Sequence, residues 1–222
     1  MTLISPVIGF DIDGVLADFT RAFADMAQEM YGLRARSSGA QLHWRFPLTE
    51  EQETAVWARI DSGNGRFWRE LKPLITDGEL DDMWDLQKDG YHFTYVTSRH
   101  SRAKQATGQW LIERQLPKGG LHFVKHKAPY LAEVENLKSY IDDSPEQITA
   151  MYRMGIPGVH VRDWPYNRDV NLPAARVTSV GEYLALVSGV MIRAERGGTL
   201  WRMAVPSNEG VGSSSFSPVL LR

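Results

Sequence analysis

Asp11 and Asp13 stand one residue apart in Gly9-Phe10-Asp11-Ile12-Asp13-Gly14, where an apolar run meets a glycine. Two carboxylates so placed suit phosphoryl transfer, one acting at phosphorus while the other handles a proton. The triplet alone says little: with 14 Asp in 222 residues, roughly one Asp-x-Asp arises by chance. Its setting carries the signal. Pro6 to Phe10 reads as a buried parallel strand and Gly14 lets the chain break away, so both acids sit at the strand's carboxyl end, where open α/β sheets bind ligands. A second pair, Asp142-Asp143, ends another strand-like run far downstream and precedes Ser144-Pro145. A calcium loop of the EF-hand type is excluded, because its ligating positions would fall on Val15 and Ala22, whose side chains carry no oxygen.

The elements that must position these residues follow from periodicity and punctuation. Phe19, Phe23, Met26 and Met30 recur at helical spacing ahead of Gly32, which predicts a helix that stops there. Thr49-Glu50-Glu51-Gln52 and Thr76-Asp77-Gly78-Glu79 have capping-box form and predict two more, the second ending near Gly90. Tyr91 to Thr97 reads as a second strand and Ser101 to Leu116 as a helix stopped by Pro117. Further strands are expected at 121–125, 139–142 and 159–161, with a helix capped by Ser144 and opened by Pro145 between the last two. Alternating strands and helices predict an α/β fold, a Rossmann-like parallel sheet with helices on both faces and a small helical cap inserted after the first strand. Residues 1–18 and 76–189 make the core, 19–75 the cap, and 190–222 a glycine- and serine-rich tail expected to be poorly ordered. In that tail Leu200, Trp201, Met203 and Val205 offer either a strand or a contact to a second copy, as in a homodimer.

Composition narrows the partners. With 25 basic and 27 acidic residues the formal charge is −2 and no basic run occurs, which argues against a nucleic-acid polymer as partner. A chain without cysteine has no disulfide, thiolate nucleophile or Cys-type zinc site and suits a reducing compartment. Met1 to Pro6 lacks a basic leader and no apolar run reaches the roughly 20 residues of a membrane helix, so a cytoplasmic protein without membrane contact is expected.

Four strand ends converge on one rim: Asp11 and Asp13, then Thr97 and Ser98, then Lys125 and Lys127, then Asp142 and Asp143. This series resembles the haloacid dehalogenase (HAD) superfamily of phosphohydrolases, whose four motifs match Asp11-Ile12-Asp13-Gly14, Thr97, Lys127 and Asp142-Asp143 in order over residues 5 to about 180. The resemblance implies catalysis by Asp11, Asp13, Thr97 and Lys127. A carboxylate can take up phosphorus as an aspartyl phosphate, which makes Asp11 the nucleophile, and Asp13 can protonate the leaving oxygen and later accept a proton from water. Thr97 would hydrogen-bond a phosphoryl oxygen and Lys127 would neutralise charge. An anionic nucleophile repels a phosphate dianion, so a cation is needed, and Mg²⁺ suits an all-oxygen site. Its implied ligands are Asp11, the backbone carbonyl of Asp13, and the Asp142-Asp143 pair, with Asp143 direct and Asp142 supporting.

Within that superfamily, Asp13 to Phe19, Phe67-Trp68-Arg69-Glu70-Leu71-Lys72-Pro73-Leu74, Thr97-Ser98 and Ile141-Asp142-Asp143 look like the 5′(3′)-deoxyribonucleotidase family. That implies a small phosphomonoester substrate, a (deoxy)nucleoside monophosphate. Aromatic faces are natural partners for a base, and Phe19, Trp44, Phe46 and Phe67 or Trp68 would line its pocket, while Ser98 and Lys125 would reach phosphate or sugar. Arg99 stands where the family commonly carries an apolar residue or proline; it either helps to hold phosphate or marks a relative with a different phosphomonoester. Other readings are a phosphatase of the same superfamily acting on a sugar phosphate or another metabolite, a polynucleotide-end phosphatase, and a non-catalytic phospholigand-binding module.

Overall fold

The computed structural model describes residues 5–32 and 48–195. Among them, β1 (Val7–Phe10), β2 (His92–Thr97), β3 (Gly119–Phe123), β4 (Leu137–Asp142), β5 (Val159–Arg162) and β6 (Ala175–Val177) form one parallel sheet in the order β3-β2-β1-β4-β5-β6. The chain runs from β1 outward to β3, then crosses back to pair β4 with the other side of β1. Strand order therefore reverses between β1 and β4, and the crevice beyond their carboxyl ends is the expected ligand site of such a sheet.

Side-chain alternation builds two cores. Ile8, Phe10, Phe93, Tyr95 and Ile141 pack on one face with residues of α4 (Asp77–Lys88), α5 (Lys104–Glu113) and α8 (Val180–Glu195). Val96, Tyr140, Val159 and Val161 pack on the other with α6 (Lys127–Ala132) and α7 (Pro145–Arg153). The insertion after β1 supplies α1 (Phe19–Tyr31), α2 (Glu50–Ser62) and the single turn α3 (Arg66–Arg69). Both capping boxes form, at Thr49 with Gln52 and at Thr76 with Glu79, and Gly32 ends α1 in the left-handed conformation. The two chain segments entering and leaving the insertion run side by side: the Leu74 amide donates to the Leu16 carbonyl at 2.8 Å and that of Asp18 to Lys72 at 2.9 Å.

Several elements depart from expectation. β3 begins at Gly119, two residues before the expected strand, because Gly119 lies against the Phe93 carbonyl where a Cβ would not fit. A 3₁₀ turn (Ser101–Ala103) precedes α5, and α6, β6 and α8 are additional. α8 continues to Glu195, past the boundary expected at 190. Trp44, Phe46 and the tail residues Leu200, Trp201, Met203 and Val205 lie outside the described residues. No helix among the described residues is long and apolar enough to cross a membrane.

Candidate active site

The site is assembled from four strand ends and the loops that leave them. Asp11 follows β1 and its amide donates to the Ile141 carbonyl at 2.9 Å, which fixes it beside β4. Asp142 closes β4 and Asp143 follows. Lys127 opens α6, and its ammonium lies 2.7 Å from both Asp11 Oδ1 and Asp142 Oδ2. All four are buried. Gln147 of α7 fastens the loop that carries the lysine, accepting from the Lys127 amide at 3.0 Å and donating to the Lys125 carbonyl at 2.9 Å.

Asp143 is held from a different direction. The Tyr166 hydroxyl donates to its carboxylate, and the Asn167 side-chain amide donates to its backbone carbonyl at 2.9 Å and to that of Arg162 at 2.7 Å. Both come from the 3₁₀ turn Pro165–Asn167 after β5. Gly14, with φ +78°, lies directly under the Asp143 carboxylate, where any Cβ would collide. Trp164 donates its indole N–H to the Gly14 carbonyl at 2.7 Å, closing the floor of the site.

Charge and burial set the electrostatics. Burial pushes the Asp11 carboxyl well above the usual carboxylate range; the Lys127 ammonium opposes this and the neighbouring carboxylates add to it. Asp143 is pushed up to about 7, first by burial and then by the charge of Asp142, with the Tyr166 bond acting the other way. Burial would lower Lys127, but the carboxylates of Asp11 and Asp142 outweigh it and hold the ammonium above its ordinary value. Carboxylate oxygens of Asp11, Asp142 and Asp143 lie within 4.8 Å of one another. A set of buried oxygen donors, two of them strained toward protonation, fits a hard divalent cation.

The remaining expected residues divide sharply. Thr97 is fully buried and its hydroxyl oxygen accepts from the Arg99 amide at 3.2 Å, which leaves its own proton as a donor. Ser98 and Lys125 are exposed beside it and at the end of the β3 loop. Arg99 faces Asp13: its side chain is 1% exposed and donates to both carboxylate oxygens at 2.8 and 2.7 Å. Phe19 and Trp68, expected along a base pocket, are 2% and 5% exposed. Their rings stack at 5.7 Å and 14°, and Phe19 also stacks on Trp57 at 5.7 Å and 19°. They pack α1, α2 and α3 together, while Phe67, edge-on to Phe19 and Trp68, is half-buried.

Tyr166, Asn167, Trp164 and Thr107, which accepts from Arg99, carry no signal in the sequence, and Gln147 is read there only as the N3 residue of a helix start. Gln147 sits three residues after Ser144 as expected of a helix start, but its reach across to Lys127 has no local signature. Tyr166 and Asn167 lie in a three-residue turn that no periodicity marks.

Comparison with known proteins agrees with this geometry. The family "5′ nucleotidase, deoxy (Pyrimidine), cytosolic type C protein" matches residues 5–194. A Bacillus cereus protein described as "Putative nucleotidase" is 25% identical over 183 residues, covering 77% of this chain and 92% of its own. A Chlorobaculum tepidum protein described as "Putative 5′(3′)-deoxyribonucleotidase" is 26% identical over 161 residues, covering 68% and 76%. Among solved structures, a phosphonoacetaldehyde hydrolase-like protein from Oleispira antarctica superimposes with TM-score 0.58 at 13% identity over 87% of this chain and 95% of that one. A HAD-superfamily hydrolase, subfamily IA, from Geobacter sulfurreducens gives 0.53 at 18% over 82% and 96%. With a family match spanning nearly the whole described chain, the chain belongs to the cytosolic type C 5′-nucleotidase family, and its fold is shared with HAD-superfamily hydrolases.

Proposed function

We propose that the protein is a Mg²⁺-dependent phosphomonoesterase that hydrolyses (deoxy)nucleoside monophosphates through an aspartyl phosphate on Asp11. The observation that carries the reading is the cluster of Asp11, Asp142 and Asp143 around the Lys127 ammonium at the β1–β4 switch point. Asp143 and Asp11 would hold the cation through their carboxylates, with Asp142 supporting and Asp13 contributing its backbone carbonyl. When bound, Mg²⁺ supplies the positive charge that brings a phosphate dianion up to an anionic nucleophile.

The residues of this chain then divide the work. An Asp11 oxygen attacks phosphorus; the bond to the departing ester oxygen breaks with its electron pair on that oxygen, which takes a proton from Asp13. Water next attacks the phosphorus of the aspartyl phosphate and gives a proton to Asp13, and Asp11 leaves as carboxylate. Lys127 stays charged throughout and offsets the build-up of negative charge on Asp11, while the Thr97 hydroxyl is positioned to donate to a phosphoryl oxygen.

The match to a deoxynucleotidase family and to a relative described as a 5′(3′)-deoxyribonucleotidase supports a nucleotide as substrate. A second reading, a sugar phosphate, has one observation in its favour: the buried Phe19 ring stacks on both Trp68 and Trp57, which leaves fewer aromatic faces for a base. The deciding experiment is phosphate release with Mg²⁺ from a panel of deoxy- and ribonucleoside monophosphates alongside sugar phosphates, with Asp11→Asn as blank. Preference for nucleotides is expected. Turnover of sugar phosphates alone would keep the mechanism and replace the substrate, and Mg²⁺-dependent binding without turnover of any ester would leave a phospholigand-binding protein.

A further inference from the structure

Arg99 is a buried, fully directed side chain beside the site that the mechanism above does not use. It sits two residues past the buried end of β2. Its Nε donates to Asp13 Oδ2 at 2.8 Å and one terminal nitrogen to Asp13 Oδ1 at 2.7 Å, while the other donates to Thr107 Oγ1 of α5 at 2.9 Å. The guanidinium carbon lies 4.6 Å from the centre of the Trp68 ring in α3. The side chain is 1% exposed and that of Asp13 is 19% exposed, so the acid faces the crevice and the base behind it does not. A guanidinium takes a carboxylate by a planar fork that fixes both position and plane. Each oxygen of Asp13 keeps a second lone-pair direction, so a carboxyl gripped in this way can still pass a proton on its crevice side.

Resting on the function proposed above, we propose that Arg99 is a positioning residue for the leaving-group proton transfer: anchored by Thr107 and the Trp68 face, it holds the Asp13 carboxyl in the place and plane where it meets the departing ester oxygen. Arg99 touches no substrate atom. Its influence passes through Asp13 alone, and it ties that acid to an element of the cap, because Trp68 belongs to the insertion and Thr107 to the core. The step it serves is the first one: the Asp11 oxygen–phosphorus bond forms, the phosphorus–ester oxygen bond breaks, and the proton moves from Asp13 to that ester oxygen.

A structural cation and a positioning residue part company in how their loss depends on the leaving group. A phenolate as good as p-nitrophenolate departs without a proton, whereas an alkoxide such as a deoxyribose oxygen does not. The test is kcat/KM, which reports steps only through leaving-group departure, for wild type, Arg99→Lys and Thr107→Val with Mg²⁺, across monoesters from p-nitrophenyl phosphate through phenyl phosphate to a deoxynucleoside monophosphate. The proposal expects Arg99→Lys to lose about 10- to 100-fold more on the alkyl ester than on the p-nitrophenyl ester, and Thr107→Val to shift the ratio the same way by less. Arg102→Ala, an exposed neighbour paired with Asp61, is expected to leave the ratio alone. Equal losses across the series, or faster turnover of the alkyl ester, would overturn the proposal. Should Arg99→Lys fail to fold by circular dichroism, the ratio in Thr107→Val decides. A wild-type protein that turns over the series while the ratio stays fixed in the variants removes this inference only; one that turns over none of the esters removes the proposed function and the inference together.

Discussion

Lys127 shows how a single side chain can hold a site of like charges together. Its ammonium is 2% exposed and 2.7 Å from two carboxylates that would otherwise repel each other in a medium where repulsion is weakly screened. Replacing it by Met keeps the volume of the stem and removes the charge, so Lys127→Met is expected to lower unfolding stability by about 3–5 kcal/mol in the absence of metal. Phosphate release should fall by about 100-fold or more; urea unfolding and an initial-rate assay check the two. Gly14 makes a complementary point. Its φ of +78° and its place under Asp143 leave no room for a side chain, and Gly14→Ala is expected to cost about 1–3 kcal/mol and to displace Asp143 enough to abolish detectable Mg²⁺ binding by calorimetry. At this scale the meeting of the acids, Thr97 and Lys127 at neighbouring strand ends was legible from the order of the strand-like runs, whereas the roles given to them came from the family resemblance. The partner of Arg99 was not legible, since the contact to Asp13 spans 86 residues of sequence and only the closure of the fold brings them together.

The elements that position the site were legible in proportion to how much local pattern they carry. β1 is a short apolar run and β2 is rich in aromatic and β-branched residues, and α2 and α4 have capping boxes whose reciprocal bonds form as read. β6 is three residues long and α6 six, too short for any period to show. α8 is apolar on too much of its circumference to display a stripe and carries Gly181 and Gly189, yet it closes one face of the sheet: Tyr183 is fully buried, donates to the Gly9 carbonyl at 3.2 Å and meets Phe10 edge-on at 5.4 Å. Its ring also covers His160 of β5 at 5.0 Å, whose Nδ1 is 2.6 Å from the Gly158 carbonyl. Burial holds the His160 imidazole below its ordinary 6.5. The unfolded chain therefore binds a proton here at a pH where the folded one does not, and stability present above about pH 6.5 is lost as pH falls through the folded value. In chemical denaturation between about pH 5 and 7, the stability of wild type relative to His160→Gln should therefore increase as pH rises, whatever slope the two proteins share from other groups.

For the whole molecule, the strand order β3-β2-β1-β4-β5-β6 does what no residue or element does alone: it sets the acids of β1 and β4 side by side at the point where the winding reverses. Burying them raises Asp11 well above the usual carboxylate range and Asp143 to about 7, so without a cation the folded protein holds protons there that the unfolded chain releases near its ordinary 3.8. That contribution opposes the His160 one: it weakens the fold as pH rises from about 4 to about 7. A divalent cation must displace those protons, so the rise in melting temperature on adding Mg²⁺ is expected to be larger at about pH 8 than at about pH 5.5, and chelation should remove it. The aspartyl phosphate is the claim on which the rest depends. During turnover of a deoxynucleoside monophosphate with Mg²⁺, rapid acid quenching followed by peptide mass analysis should find a phosphoryl group on the peptide carrying Asp11, absent when Mg²⁺ is chelated and absent in Asp11→Asn. Steady phosphate release with no phosphorylated Asp11 at any quench time, or undiminished release by Asp11→Asn, would contradict the account.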